Sequence, residues 1–355
     1  MVEQRRGTSG RKLDHLQICL ERSIERGDPG FSDIRLVHNA LPECDLDFID
    51  TRTEFLGYTF ESPLFIAGMT GGHPGTKEVN RLLARAAAER RIGMGVGSQR
   101  AALENPALED TFSVVREEAP KAFLVANIGA VQLREHGSEW AERAVSMIDA
   151  DAIAIHLNFL QEAIQPEGDH NARGCLDAIA ELCSDFRVPV IVKETGSGIS
   201  AGTARLCWEA GAKAIDIGGW GGTSWAAVEG LRTFPESGER NDEHRPLSAV
   251  FEDWGIPTVI SLIEVAGTGG PVISTGGIRS GIDMAKAITL GADLCGIALP
   301  LLKPAMQGEN ELKRTLTDFC DELRVAMFLS GAKNPRELGE RRPYITGRTR
   351  QMMKK

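Results

Sequence analysis

The chain has 355 residues, 42% of them hydrophobic and 25% charged, which is enough apolar mass for a large globular core. Its formal net charge is −10, from 40 Lys and Arg against 50 Asp and Glu, and this argues against a general nucleic-acid binder, which needs a basic face for phosphates. A phosphorylated small substrate stays open, since a local group of Arg and Lys can hold one inside an acidic protein.

The seven cysteines (Cys19, Cys44, Cys175, Cys183, Cys207, Cys295 and Cys320) are odd in number and form no C-x-x-C pair. That pattern predicts reduced thiols in a cytosolic protein. No run approaches the roughly 18 apolar residues of a membrane span, and the opening "MVEQRRGTSGRKLDH" has no apolar signal core. The expectation is a cytoplasmic protein with neither membrane nor nucleic acid as partner.

In chain order, residues 1–62 form an N-terminal extension. Within it, "GRKLDHLQICLE" places Arg11 and Lys12 ahead of an apolar helix; residue types alone make this a solvated basic arm. Eight short apolar runs follow: "PLFIAGMTGG" (63–72), "IGMGVGSQR" (92–100), "AFLVANIGA" (122–130), "DAIAIHLN" (151–158), "VPVIVKETGSG" (188–198), "AIDIGGWGGTSW" (214–225), "PVISTGGIRSG" (271–281) and "DLCGIALP" (293–300). Helical patterns such as "TKEVNRLLARAAAERR" lie between most of them. Continuous apolar strands joined by helices indicate a parallel sheet covered on both faces. Eight such units predict an α/β fold, a (β/α)8 TIM barrel over 63–330; a doubly wound open sheet is the alternative. A polar insertion at 232–250 reads as a loop over the top face, and the basic segment 331–355 as a solvated C-terminal tail.

Nearly every run ends in Gly, Ser, Thr, Asn or a charged residue, at the strand ends where a barrel keeps its active site. Repeated Gly-rich ends predict a large flat or phosphorylated ligand over the mouth. The most specific stretch is "STGGIRSGIDMAKAITLGADLCGIALPLL" (274–302). There Gly276, Gly277, Ile278 and Arg279 precede a helix, and the next strand ends at Ala298 and Leu299, the usual phosphate site of this barrel. In "IAIHLNFLQEAIQPEGD" (153–169), alternation puts Ala154, His156 and Asn158 on one face, with Gln161 and Glu162 in the following loop. Glu162 is a hard oxygen donor suited to Mg2+ shared with substrate phosphate. Lys193 faces the mouth with Ile191; it suits a flavin, a Schiff base or an internal ion pair.

The pattern "GGIR…G..D…A..LGAD" resembles FMN-dependent barrel enzymes, where it holds the flavin phosphate. That resemblance makes Lys193 a partner for negative charge on the reduced ring, and Ser98 and Asn127 donors to a ring edge. Gly68, Met69 and Thr70 would then lie against the isoalloxazine, with Thr223 reaching flavin or its phosphate.

A wider set, "RKLDH", "MTGG", "GVGSQR", "ANIGA", "HLN..QE", "VKETGSG", "GGTSW" and "STGGIR", is similar over nearly the whole chain to the type 2 isopentenyl-diphosphate isomerases. The pairing of "RKLDH" with "HLN..QE" is specific to them. The resemblance implies that reduced FMN moves the proton, that NAD(P)H only reduces the flavin, and that Glu162 holds Mg2+. It implies a diphosphate held by Arg11, Lys12, Ser98, Gln99, Arg100, His156 and Asn158, with Gln161 and His156 in catalysis. It further implies a homotetramer or homo-octamer. One departure is Gly218, where many members carry Ser, which puts a side-chain contact to flavin there in doubt. The rivals are an FMN oxidase or dehydrogenase of hydroxy acids or dihydropyrimidines, a flavin redox sensor, and a flavin-free aldolase.

Overall fold

The computed structural model describes residues 8–233 and 246–353. Eight parallel strands, β1 (Leu64–Ile66), β2 (Gly93–Gly95), β3 (Leu124–Gly129), β4 (Ala152–Leu157), β5 (Val190–Glu194), β6 (Ala214–Asp216), β7 (Val272–Thr275) and β8 (Leu294–Ile297), pair in chain order. The ring closes where Cys295 pairs with Leu64 and Ile297 with Ile66. This is the (β/α)8 barrel, not the open sheet, and every strand falls inside one of the apolar runs.

Strand alternation divides the apolar residues into two cores. One set points outward against the helices, for example Leu64, Ile66, Leu124, Ile128 and Val192. The other fills the barrel: Phe65, Val125, Ala154, Ile191, Ala214, Ile273 and Leu294. A hairpin of the N-terminal extension, Thr53–Phe55 with Tyr58–Phe60, plugs this interior with Phe55 and Phe60, whose rings meet Phe123 edge-on. Two positions further along the strands, the inward side chains turn polar: Asn127, His156, Lys193, Asp216 and Thr275. The apolar plug therefore ends in a polar floor at the C-terminal mouth.

The extension also covers that mouth. Helix α1 (Thr8–Glu21) packs on α3 (Trp225–Thr233), where His15 meets the Trp225 ring edge-on at 5.1 Å. The chain then runs along the β6 loop: Arg26 N donates to Gly222 O at 3.1 Å, and Ser224 N donates to Ile24 O at 2.9 Å.

The C-terminal segment departs from the solvated tail expected of it. Tyr344–Ile345 pairs antiparallel with Ile34–Arg35, Leu338 and Thr349 are buried, and Thr349 N donates to Asp33 Oδ2 at 2.9 Å. Its basic residues are spaced so that apolar and hydroxyl side chains between them face inward. Of the insertion predicted at 232–250, residues 234–245 lie outside the described residues; its end forms a short turn of helix, Leu247–Val250. No described helix is long and apolar enough to cross a membrane.

Candidate active site

A cavity of about 240 Å³ lies between the polar floor and α1. Every residue singled out from the sequence lines it except Gln99. Gln99 is fully buried the other way: its Nε2 donates to Ala144 O at 2.8 Å and its Oε1 accepts from Asn127 N at 2.8 Å. The chain turns into helix Arg100–Glu104 at this point, so Ser98 and Arg100 face the cavity while Gln99 pins the strand ends beneath it. Gln99 is thus corrected from a substrate contact to a structural amide.

One end of the cavity is a backbone cradle. Gly276 and Gly277 have φ of +114° and +69°, and a Cβ on them would lie 2.2 Å from Gly219 O and 2.5 Å from Gly221 O. Only glycine lets the β6 and β7 loops pack so closely. Among the described residues, the N–H groups of Gly277, Ile278, Ala298 and Leu299 donate to no protein atom. The last two open helix α5 (Leu299–Gln307), where free N–H groups favour an anion. Helix α4 (Gly281–Thr289) is different: Ser280 Oγ caps it, and Glu322 Oε2 accepts from Gly281 N at 2.6 Å. Arg279 is engaged too, its Nε donating to Glu25 Oε1 at 2.9 Å and its N–H to Asp283 Oδ2 at 3.1 Å. Phosphate donors therefore come from the β7 loop and the start of α5, not from α4.

The floor beside the cradle is charged. Lys193 Nζ donates to Asp216 Oδ2 at 2.7 Å and to Glu194 O at 3.1 Å, leaving a third N–H. Thr275 Oγ1 is buried without a partner among the described residues. Burial pushes Glu194 up to about 7, although the N–H groups of Ser197, Gly196 and Gly198 hold its carboxylate. Gly218 has φ of +48°, and a Cβ there would sit 2.0 Å from Glu194 O. This backbone leaves no room for a side chain at 218, so only main-chain atoms reach a ligand there.

These groups fit FMN: four unpaired N–H groups for its phosphate, and Lys193 with an orphaned hydroxyl for its ring.

The opposite end is cationic. Arg11, Lys12 and Arg100 converge there. Lys12 makes no hydrogen bond or ion pair among the described residues; burial, then Arg11 and Arg100, lowers its pKa to about 8. His156 is lowered to about 3 by burial and by Lys12 and Lys193. Glu162 is buried, its Oε1 accepting from Asn158 Nδ2 at 2.8 Å and its Oε2 from Gln165 Nε2 and Asp169 N, both at 2.8 Å. Among the described residues Oε1 has no second donor, which leaves it a lone pair. No group of three His, Cys, Asp or Glu able to hold a metal occurs among the described residues. A lone carboxylate of this kind fits Mg2+ that takes its other ligands from phosphate and water.

Behind the cavity lining sits a residue the sequence reasoning missed. Glu229 of α3 is 0% exposed and accepts from His15 Nε2 at 3.0 Å, Gln161 Nε2 at 2.8 Å and Arg232 Nε at 2.7 Å. Its pKa is lowered to about 2; burial opposes this, but the bonds from His15, Gln161 and Arg232 prevail. Because the carboxylate only accepts, Gln161 must turn its Nε2 toward Glu229 and its oxygen elsewhere.

A closed barrel with a phosphate cradle, a part-buried lysine on its floor and an arm over its mouth is the architecture of flavin-dependent barrel enzymes. A family model of FMN-dependent dehydrogenases matches residues 19–146 and 135–344. A mandelate oxidase variant with a monooxide FMN adduct superposes with a TM-score of 0.62 at 18% identity, over 96% of this chain and 93% of its own. The isopentenyl-diphosphate delta-isomerase of Methanoregula boonei is 65% identical over 99% of this chain and 97% of its own length. That of Methanosarcina barkeri is 52% identical over 96% and 93%. The chain belongs to the isopentenyl-diphosphate delta-isomerase family, of the FMN-dependent type 2.

Proposed function

We propose that the protein converts isopentenyl diphosphate to dimethylallyl diphosphate in isoprenoid biosynthesis, with reduced FMN and Mg2+ bound and NAD(P)H serving only to reduce the flavin. The observation that carries this reading is one cavity with two anion-binding ends and, in its lining, Gln161, whose amide is held from behind by the buried Glu229. The backbone cradle suits the flavin phosphate, and the Arg11–Lys12–Arg100 cluster suits a diphosphate. The span between them would hold the short alkene.

FMN, when bound and reduced, supplies an acid/base group able to work on an unactivated alkene, which ordinary side chains do poorly. The chain's own residues do the rest. Gly68, Met69, Thr70, Asn127, Lys193 and Thr223 would seat the ring. Arg11, Lys12, Ser98, Arg100 and Asn158 would grip the diphosphate, with the neutral His156 ring beside them, and Glu162 would share Mg2+ with it. Gln161, its amide turned by Glu229, would present its oxygen at the alkene. α1 excludes water by lying across the mouth. The same reading makes the enzyme a cytoplasmic homotetramer or homo-octamer.

The test is an anaerobic assay with protein, FMN reduced by dithionite or NADPH, Mg2+ and isopentenyl diphosphate, the product followed by NMR. Catalytic dimethylallyl diphosphate without reductant consumed per turnover is the expected result. Reductant consumed in proportion to product would instead indicate a flavin oxidoreductase.

A further inference from the structure

We propose that Glu167 is a positioning residue for the cationic end, holding Arg11 in the attitude in which its guanidinium meets the substrate's diphosphate. The proposal rests on the isomerase reading and adds a residue that does not itself line the cavity.

Glu167 Oε1 accepts from Arg11 Nη1 at 3.3 Å and from Arg232 Nη2 at 2.7 Å. Arg11 lies on α1 and Arg232 on α3, while Glu167 follows the short helix α2 (Phe159–Ile164) that carries Gln161 and Glu162. One carboxylate oxygen thus ties the arm over the mouth to two walls of the cavity.

The two arginines depend on it unequally. Arg232 has a second, closer anchor, since its Nε donates to buried Glu229 at 2.7 Å. Among the described residues Arg11 has only Gln165 Oε1 besides, at 3.4 Å, and again through Nη1. Loss of Glu167 therefore frees Arg11 and leaves Arg232 and Glu229 in place. With Glu167 present, Arg11 is fixed by one terminal nitrogen, and its Nε and Nη2 carry no partner among the described residues. A guanidinium held at one corner, with the rest of its fork open, is prepared for charge-assisted bonds to phosphate.

Charge alone points the other way. Removing a carboxylate makes the rim more positive and would tighten diphosphate binding, so the sign of the change in KM decides between orientation and competition.

The experiment uses the full chain with reduced FMN and Mg2+, assayed anaerobically. Glu167→Ala raises KM for isopentenyl diphosphate about fivefold, the upper scale of one part-exposed ion pair, while kcat stays within about twofold. Glu167→Asp restores part of the loss. In an Arg11→Ala background, Glu167→Ala adds nothing, because nothing is left to position. Inorganic pyrophosphate, as a competitive inhibitor, follows the same order. An unchanged or lowered KM in Glu167→Ala, or effects that multiply in the double variant, overturns the proposal while wild-type turnover leaves the isomerase reading standing. Absence of isomerisation by the wild type overturns both.

Discussion

His156 Nδ1 lies 2.7 Å from Asn127 Oδ1, and Asn127 is turned by its own Nδ2, which donates to Val96 O at 2.9 Å. The carboxamide therefore offers its oxygen, and the imidazole proton must sit on Nδ1. Nε2 is left with a lone pair. The same histidine is buried beside two lysines, and burial first, then Lys12 and Lys193, lowers its pKa from 6.5 to about 3. The site holds a neutral imidazole of one tautomer.

This has a consequence for acid stability. An unfolded His156 takes a proton near 6.5 and the folded one only near 3. Between those values the unfolded chain binds more protons, so stability falls as pH drops from about 6.5 toward about 3 and is unaffected above that window. His156→Gln removes this contribution. Its Tm relative to the parent, followed from pH 8 to about 4, shifts in the variant's favour as pH falls. A difference that stays constant with pH would show that His156 is not held neutral.

Lys12 gives a prediction on the alkaline side. Its pKa is lowered to about 8 by burial and by Arg11 and Arg100, so its charge is present below that value and lost above it. The diphosphate needs that charge. kcat/KM for isopentenyl diphosphate, which reports free-enzyme groups, should fall as pH rises through about 8. Lys12→Arg keeps its charge throughout. The expected outcome is a lower but flatter profile for that variant; an unchanged fall in it would assign the titration to another group.

The barrel was legible because apolar runs ending in glycine mark both the strands and their C-terminal ends. The inward side chains were legible too: period-2 alternation from Ala154 and Ile191 gives His156 and Lys193 directly. Glu229 was not legible. It lies in "TSWAAVEGLRT", where a helical glutamate looks like any solvated one, and only tertiary packing, α1 with His15 and the helix carrying Gln161, buries it. Gln99 was misassigned because its neighbours Ser98 and Arg100 do face the cavity, and the turn into a helix sends successive side chains apart. The C-terminal segment was misread because its pairing partner, Ile34–Arg35, lies some 300 residues away.

Glu162 tests the metal. Glu162→Gln keeps the shape but replaces one oxygen by a donor, which faces Asn158 Nδ2 or the Gln165 and Asp169 donors. The Mg2+ concentration for half-maximal rate should rise about 10- to 100-fold, with bound FMN unchanged by its absorption spectrum. Loss of FMN with an unaltered Mg2+ requirement would remove Glu162 from the metal.

Lys193 has two duties, and they can be separated. Its ammonium neutralises Asp216, whose side chain is 3% exposed, and its third N–H remains for a flavin ring. Lys193→Ala strands a buried carboxylate, which costs about 3–5 kcal/mol and lowers Tm whether or not flavin is present. It also removes the positive charge that the reduced ring would need. Lys193→Ala combined with Asp216→Asn takes away the stranded charge. The double variant should regain most of the stability, measured by thermal unfolding of apoprotein, while its FMN dissociation constant stays raised in a fluorescence titration. Recovery of flavin affinity along with stability would mean that Lys193 supports the floor of the barrel and not the cofactor.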